Sequence, residues 1–353
     1  MLKRKAFFTK LFQWEHWPTY MFYVPLIPYY IFCALKAKNL VFYLATNPCM
    51  KYSGNGSESK FKTLQLIPQQ YTPKSILATQ NIPFTEILKT LKYNKIAFPL
   101  IAKPDVGFRG YLVKKINSEK ELEEYLLKND IDIILQEFID LPNECGIFYY
   151  RLPNNTHGTI TSITLKKFLK ITGDGNSTLS ELICKDKRAF LYWDILKNLH
   201  EDKIDNVLDQ GEMMQLSVIG NHSKGTQFIN GNHLINNDLT LMLDGLLKQI
   251  NGWNFGRLDL KYNHFDEFTV GKNFKILELN GIIAEPTHIY DPSKCSYPKA
   301  VKTIKDHWKI IDQIATLNHK NNNIPYPKVI PYLKDMLRLR KHSKKIIRLN
   351  KTA

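Results

Sequence analysis

The stretch "FKILELNG" (274–281) sets Glu278 and Asn280 two positions apart in an otherwise apolar run. Residues two apart in a β-strand share a face, so these side chains stand about 7 Å apart along it. Upstream, "NFGRLDLKY" (254–262) repeats the arrangement with Arg257 and Asp259, while Leu258 and Leu260 take the other face. The turn "NHFDEFTVGKN" folds one run back antiparallel on the other, giving a single patch of Arg257, Asp259, Glu278 and Asn280. A carboxylate in a buried strand is costly unless something pairs it. Two carboxylates and an amide oxygen are hard ligands that suit Mg²⁺, an ion that takes its remaining ligands from phosphates and water. Each acid taken alone reads better as a surface charge or a structural partner of Arg257; the set at doubled i, i+2 spacing favours the metal.

A phosphate ligand needs its own cradle. "FPLIAKPDVGFRG" (98–110) offers Lys103 at the end of an apolar strand, followed by a loop with Gly107 and Gly110. Backbone N–H groups of such a loop and a lysine ammonium both suit phosphate oxygens. The pattern is neither a Walker A loop nor a GxGxxG fingerprint. "ILQEFIDLPNE" (134–144) places Glu137 and Glu144 around a strand end, where backbone groups can meet a base and a carboxylate a ribose; an exposed strand end is the plainer reading. Lys166 or Lys167 is a further phosphate candidate, against the usual fate of strand lysines, which is solvation. "NHSKG" (221–225) offers Asn221 and Ser223 to a substrate or phosphate. "GIIAEPTHIYDP" (281–292) offers Glu285, Thr287 and His288 to a substrate, or forms a turn after Pro286.

The elements that position these residues read as α+β. A Gly/Ser turn and a short amphipathic helix ending near Pro68 come first, then a helix over "FTEILKTLKYN". Strand "AFPLIAKP", a glycine loop, strand "YLVKKI", a helix over 118–129 and strand "DIILQEFI" make a compact unit. Further strands follow in 156–230, with "GDGNST" (173–178) a tight turn into a helix capped by Ser177 or Thr178. A helix over 236–251, the two strands of 254–280 and a helix near 298–316 complete the pattern. The expected organisation is an apolar segment over 1–52, a helical lead-in over 53–95, a main domain over 96–318 and a basic tail over 319–353.

The order of the motifs resembles the ATP-grasp superfamily: a Lys-Pro strand with a Gly loop, a strand ending Q-E-F-I with an acid beyond it, then R-x-D, then E-x-N. The resemblance covers residues 60–290. "SKFKTLQLIP" and "AFPLIAKPDVGFRG" are similar to stretches of D-alanine–D-alanine ligases; "ITGDGNSTLSELI" and "GNHSKGTQF" are similar to cyanophycin synthetase and fused glutathione synthetases. It implies two α+β lobes clasping ATP, and an ATP-dependent ligase forming a carbon–nitrogen bond through an acylphosphate. By position, it implies that Lys60 and Lys103 hold the ATP phosphates, with Gly107, Arg109 and Gly110 closing over them. Glu137, Phe138 and Ile139 would frame the adenine, Leu277 pack beneath it, and Glu144 take the ribose hydroxyls. Asp259, Glu278 and Asn280 would hold one or two Mg²⁺, for which Mn²⁺ would substitute, and Arg257 would steady the transferred phosphoryl group. The substrates would be a small carboxylate and an amine, amino-acid or peptide-like. The rival reading is an ATP-binding regulatory protein of the same fold without turnover.

Residues before 60 differ from the α/β domain those ligases carry. "WPTYMFYVPLIPYYIFCAL" (17–35) is uncharged, aromatic and flanked by lysines. A spanning helix needs about 20 apolar residues, and Pro25 and Pro28 each remove a helical hydrogen bond. The segment is therefore expected to lie at a membrane surface, with a buried apolar hairpin as the alternative. Among 353 residues, 49 Lys and Arg oppose 33 Asp and Glu, a net charge of +16 concentrated at the two ends. That points to an anionic surface or to solubility; the tail has little aromatic interleaving, so nucleic acid is not the expected partner. Five scattered cysteines without a CxxC pair fit a reducing compartment best and argue against a disulfide framework or a zinc site. The expected location is cytoplasmic, at the inner face of the membrane.

Overall fold

The structure, a computed structural model, describes residues 2–108, 110–217 and 219–352, the side chains of 2–6, 223, 351 and 352 excepted. Two α+β lobes face each other across a cleft of about 1230 Å³. The first lobe is a four-stranded antiparallel sheet of β1 (Ser75–Ala78), β2 (Leu100–Pro104), β3 (Lys114–Ile116) and β4 (Ile133–Glu137), in the order β1-β4-β2-β3. Helices Phe84–Tyr93 and Glu119–Lys128 cover one face, burying Ile87, Leu91, Leu122 and Tyr125 against Leu100, Ala102, Ile133 and Leu135. The second of these helices starts where its sequence says it should: Ser118 accepts from the Glu121 N–H at 3.2 Å. The lead-in of 53–95 is thus shared between the lobes, since β1 and the helix after it complete the first sheet.

The second lobe is a five-stranded antiparallel sheet in the order β11-β10-β5-β6-β9, built from β5 (Asn143–Tyr150), β6 (Thr159–Lys167), β9 (Gln227–Asn230), β10 (Phe255–Tyr262) and β11 (Phe274–Asn280). Its apolar face (Cys145, Ile147, Tyr149, Ile163, Leu258, Leu260) packs on helix Asn237–Leu247 and on the fully buried Trp253. Each such side chain contributes about 1.5–3 kcal/mol by leaving water. The other face is polar at its open end and is roofed at its far end by helix Tyr297–Asn321, where Phe148 and Phe255 meet Ile311 and Ile314. Between β6 and β9 a small satellite forms around the antiparallel pair of β7 (Lys170–Thr172) and β8 (Met213–Gln215), with its own core of Leu179, Ile183, Phe190 and Leu196. Its helix Leu179–Lys185 begins with a capping box between Thr178 and Glu181.

Both chain ends are built into the body. Helix Ile27–Ala37 and the turns before it pack one side on helix Tyr297–Asn321, with Phe22 and Leu26 against Ala300 and Ile304, and Cys33 and Ala34 against Ala315. The other side is exposed, and includes Ile27, Ile31, Phe32 and Leu35. Tyr20–Ala37 is long and apolar enough to cross a membrane by length and composition, and 22% of it is buried in the protein. The basic tail is helix Val329–Thr352, docked back on the first lobe: Ile346 is fully buried in that lobe's core, and Asn350 accepts from the Leu112 N–H at 3.0 Å.

Candidate active site

The polar end of the second sheet follows from strand register. Antiparallel pairing sets Arg257 opposite Asn280 and Asp259 opposite Glu278. On the other flank of β10, Asp259 stands opposite Gly146, and Lys261 opposite Glu144. Gly146 in turn stands opposite Thr164 of β6, which puts Lys166 beside Glu144. Alternation therefore gathers Glu144, Lys166, Arg257, Asp259, Glu278 and Asn280 on one face of four strands. Gly146 is favoured in their midst: a Cβ there would lie 3.1 Å from Arg257 Cδ and 3.2 Å from Asp259 Oδ1, so those side chains would have to shift. Gly281, closing the E-x-N strand, is required for another reason, since a Cβ would lie 2.1 Å from the Ser53 carbonyl oxygen.

Asp259 is the hub. Arg257 donates to its Oδ2 from Nη2 at 2.9 Å and from Nε at 3.2 Å, and Asn280 donates from Nδ2 at 3.0 Å. Lys166 Nζ lies 2.9 Å from Asp259 Oδ1 and donates to Glu144 at 2.7 Å. Burial acts to raise the Asp259 pKa, but Arg257 and Lys166 outweigh it and hold the carboxyl well below the usual range. Burial likewise acts to lower the Lys166 pKa, and Asp259 and Glu144 reverse that into a net rise. Arg257 is anchored at its far end, with Nη1 donating to the Glu285 carbonyl at 3.0 Å.

Two lysines reach this face, Lys103 from β2 of the first lobe and Lys60 from helix Lys60–Leu64, whose Leu64 is buried in the second lobe's core. Lys103 Nζ donates to Gln136 Oε1 at 3.0 Å and to the Leu277 carbonyl at 3.2 Å. Burial, and then the neighbouring charge of Lys60, bring its pKa down to about 7. Lys60 forms an ion pair with Glu278, and burial lowers its pKa too. Its placement depends on Asp105, which follows the Lys-Pro strand: Asp105 accepts from Ser59 Oγ at 2.8 Å and from the Phe61 N–H at 2.9 Å, seating helix Lys60–Leu64. Gly107 packs under the Lys60 stem, where a Cβ would lie 3.2 Å from Cε. Gly110 approaches Asn221 of the second lobe, so the two lobes' loops meet over the cleft.

The remaining sequence candidates separate. Glu137, Phe138 and Ile139 line the cleft. Glu137 accepts from the Lys74 N–H at 3.1 Å, Phe138 lies under Lys115 at 4.1 Å, and the Ile139 carbonyl accepts from Lys261 at 3.0 Å. Glu144 is buried and paired to Lys166. Leu277 lines the cleft because a bulge between Asp259 and Leu260 sets it out of register. Asn221, Glu285 and Thr287 also line it, whereas His288 is buried, with Nδ1 2.7 Å from Ser162 Oγ. Burial takes the His288 pKa down to about 4. Arg109 and the Ser223 side chain lie outside the described residues. The residues most easily missed in the sequence are Lys166, which looks like a solvated strand lysine, and Asp105, whose signal is its place directly after the Lys-Pro strand.

A divalent cation fits these residues. Asp259, Glu278 and the Asn280 amide are hard oxygen donors on adjacent strands, and Asp259 Oδ1 is buried with a cation already facing it, Lys166 Nζ at 2.9 Å.

No protein-family model and no curated protein matches the chain. Among solved structures it is similar to a bifunctional glutathione synthetase from Pasteurella multocida, at 14% identity and a TM-score of 0.37, over 73% of this chain and 38% of that one. It is similar to the VanG D-Ala:D-Ser ligase from Enterococcus faecalis, at 14% identity and a TM-score of 0.41, over 73% of this chain and 61% of that one. It is also similar to a D-alanine–D-alanine ligase from Bacillus anthracis complexed with ATP, at 13% identity and a TM-score of 0.40, over 75% of this chain and 68% of that one. The chain thus spans less than two thirds of the length of the first two. Similarity this distant leaves the activity to the residues of the cleft.

Proposed function

We propose that the chain is an ATP- and Mg²⁺-dependent ligase that joins a carboxylate to an amine through an acylphosphate. The observation that carries the reading is the register of β10 and β11: Arg257 and Asp259 stand opposite Asn280 and Glu278, with Lys103 of the other lobe and Lys60 of the helix packed on β11 reaching the same floor. In this reading Lys60 and Lys103 bind the β- and γ-phosphates, and Gly107 and Gly110 let the loop close over them. The Phe138 ring and Leu277 frame the base. Asp259, Glu278 and Asn280 would hold Mg²⁺, which supplies charge neutralisation on the phosphates. The substrate carboxylate oxygen attacks the γ-phosphorus and ADP leaves; the amine then attacks the acyl carbon and phosphate leaves. Arg257, held by Asp259 and the Glu285 carbonyl, faces charge that grows in both steps. Incubation with ATP, Mg²⁺ and a broad pool of amino acids and peptides tests this. ADP and phosphate should form together with an amide, and no release above an Asp259→Ala control would overturn it.

One observation favours a second reading, ATP binding without turnover: in this structure Asp259 and Glu278 already have lysine or arginine partners. That protein would gain thermal stability from ATP and release no phosphate under any substrate pool.

We further propose that the exposed apolar side of the N-terminal segment rests on an anionic membrane surface. Phe12, Phe32 and Leu35 are 80%, 63% and 73% exposed, an unusual cost in water, and Lys36 and Lys38 flank them. Because Trp17 and Tyr20 also line the cleft, a lipid-linked substrate is the kind this placement suits.

A further inference from the structure

We propose that Glu15, His16 and His222 form a site for a zinc-class divalent cation in the wall of the cleft, separate from the Asp259–Glu278–Asn280 set. The three residues come together from a short turn at Trp14–His16 and another at His222–Lys224. One ligand atom from each lies within 4.8 Å of the others. His222 Nε2 is 3.1 Å from Glu15 Oε2, and His16 Nε2 is 3.6 Å from Glu15 Oε1. Ligands about 2.1 Å from a tetrahedral ion stand about 3.4 Å apart, so the cluster is close to the required size.

Burial supplies an independent reason to expect a ligand. The His16 and Glu15 side chains are 5% and 6% exposed. His16 Nε2, facing Glu15, has no hydrogen-bond partner among the described residues. An orphaned imidazole nitrogen at a buried carboxylate is costly unless something sits between them. Tyr192, whose ring lies 6.3 Å from that of His16, has a buried hydroxyl that is also unpartnered among the described residues.

The donor set selects the ion. Two imidazole nitrogens and one carboxylate suit Zn²⁺ and its neighbours, whereas Mg²⁺ prefers oxygen throughout. Arg188 is the competing cation, but its contacts with the Glu15 oxygens are long, at 3.3 and 3.5 Å. Its Nε donates to the Gly225 carbonyl at 3.0 Å and its Nη2 to that of Thr226 at 3.3 Å, so it is held without Glu15. Three protein ligands leave a fourth position, and all three residues line the cleft. The His222 ring lies 5.8 Å from that of Tyr290, which donates to Glu285, the residue whose carbonyl holds Arg257. An ion here would therefore share the cleft with the reacting groups, linked to Arg257 through Tyr290 and Glu285, and its open position would take an anionic or amine group of a bound molecule.

The test uses the metal alone, with full-length protein and no nucleotide, so it stands or falls apart from the ligase reading. Co²⁺ is titrated in, its visible spectrum recorded, and Zn²⁺ used to displace it. One equivalent should bind with the absorption of a four-coordinate nitrogen–oxygen site and no thiolate charge-transfer band. That equivalent should be lost in His16→Ala and in His222→Ala and kept in Asp259→Asn. His222→Ala, on the more exposed ligand, decides the matter if His16→Ala does not fold. No bound equivalent in the wild type, or the same equivalent in the folded histidine variants, would overturn the proposal.

Discussion

Asp259 and Glu278 stand directly opposite each other on neighbouring antiparallel strands, yet each is neutralised from a different direction. Asp259 is gripped within its own lobe by Arg257 and Lys166, whereas Glu278 pairs with Lys60, which is seated through Asp105 at the end of β2. One carboxylate is neutralised by its own sheet, the other by a helix that packs on that sheet and is tied through Asp105 to the first lobe.

That difference predicts unequal stability effects. Asp259→Asn leaves Lys166 and Arg257 buried with one anion fewer, and breaking a buried pair of this kind costs about 3–5 kcal/mol. Glu278→Gln acts on a pair whose side chains are 27% and 28% exposed, where solvent screens the loss and a smaller cost is expected. Both should lower phosphate release at least about a hundredfold if the two oxygens hold the metal. Urea unfolding and ADP release measured on the same preparations check the pattern; equal destabilisation would contradict it.

The same network gives a pH dependence. Asp259 has a folded pKa held below its unfolded value near 3.9. Its contribution to stability is therefore present above about pH 3.9 and is lost as pH falls through the folded value. Lys166→Met removes one of its two cations and leaves Glu144 without its partner. The variant should be less stable than the wild type at pH 7, and the gap should narrow as pH falls below about 3.9, where the Asp259 carboxyl, short of one cation in the variant, takes up its proton more readily than in the wild type. Thermal unfolding across that range is the measurement; a gap that widens on acidification would count against the assignment.

Lys103 makes a second pH prediction, this time for binding. With a pKa lowered to about 7, it is largely neutral above that value in the free protein, and ATP must recruit a proton to it. ATP affinity should be flat below about pH 7 and then fall by up to about tenfold per pH unit, until the pKa of the complex is reached. Lys103→Arg, charged throughout, should lose this bend, while Lys103→Met should bind weakly at every pH. Calorimetry in two buffers of different ionisation enthalpy would detect the proton uptake at pH 8 directly.

The portion of this site that is legible in sequence is the portion set by local periodicity. Arg257, Asp259, Glu278 and Asn280 declare their common face by i, i+2 spacing on two strands joined by a short turn. Lys166 does not, because its partners lie on other strands and a lone strand lysine carries no mark of burial. Leu277 defeats simple alternation, since the bulge that turns it to the cleft has no glycine to announce it. The tail reads as a solvated basic segment until Ile346 and Leu349 are noticed three apart, one stripe of a docked helix. The N-terminal segment is apolar nearly all round, so its pattern leaves open which side is buried; packing on helix Tyr297–Asn321 makes the choice.

The docked tail itself carries a prediction. His342 Nε2 lies 2.8 Å from the Val106 carbonyl and Asn350 accepts from the Leu112 N–H, so helix Val329–Thr352 braces both ends of the loop that bears Gly107 and Gly110. Ile346→Ala should cost about 2–5 kcal/mol as a buried truncation. His342→Ala removes one polar contact near the surface and should cost about 1 kcal/mol. In both, the KM for ATP should rise more than kcat falls, because the loop loses support without losing a phosphate ligand. A KM left unchanged in a folded Ile346→Ala protein would show that the tail stabilises the lobe and does nothing for the loop.

The membrane proposal is tested by charge and shape together. On helix Ile27–Ala37 the exposed Ile31, Phe32 and Leu35 point away from the core, while Cys33 and Ala34 face it. Phe32→Glu with Leu35→Glu should therefore leave the unfolding midpoint nearly unchanged, since neither side chain packs inside. Binding to vesicles containing anionic lipid should fall at least about tenfold, because each apolar side chain contributes on the order of 1.5–3 kcal/mol by leaving water. Lys38→Gln should weaken binding less, by about 1 kcal/mol for a charge near the surface, and only at low salt; Lys36 is already paired to Asp312 at 2.9 Å. Sedimentation with vesicles at two salt concentrations separates the two contributions. Wild-type protein that stays in the supernatant with every vesicle composition would leave the apolar side without a lipid partner.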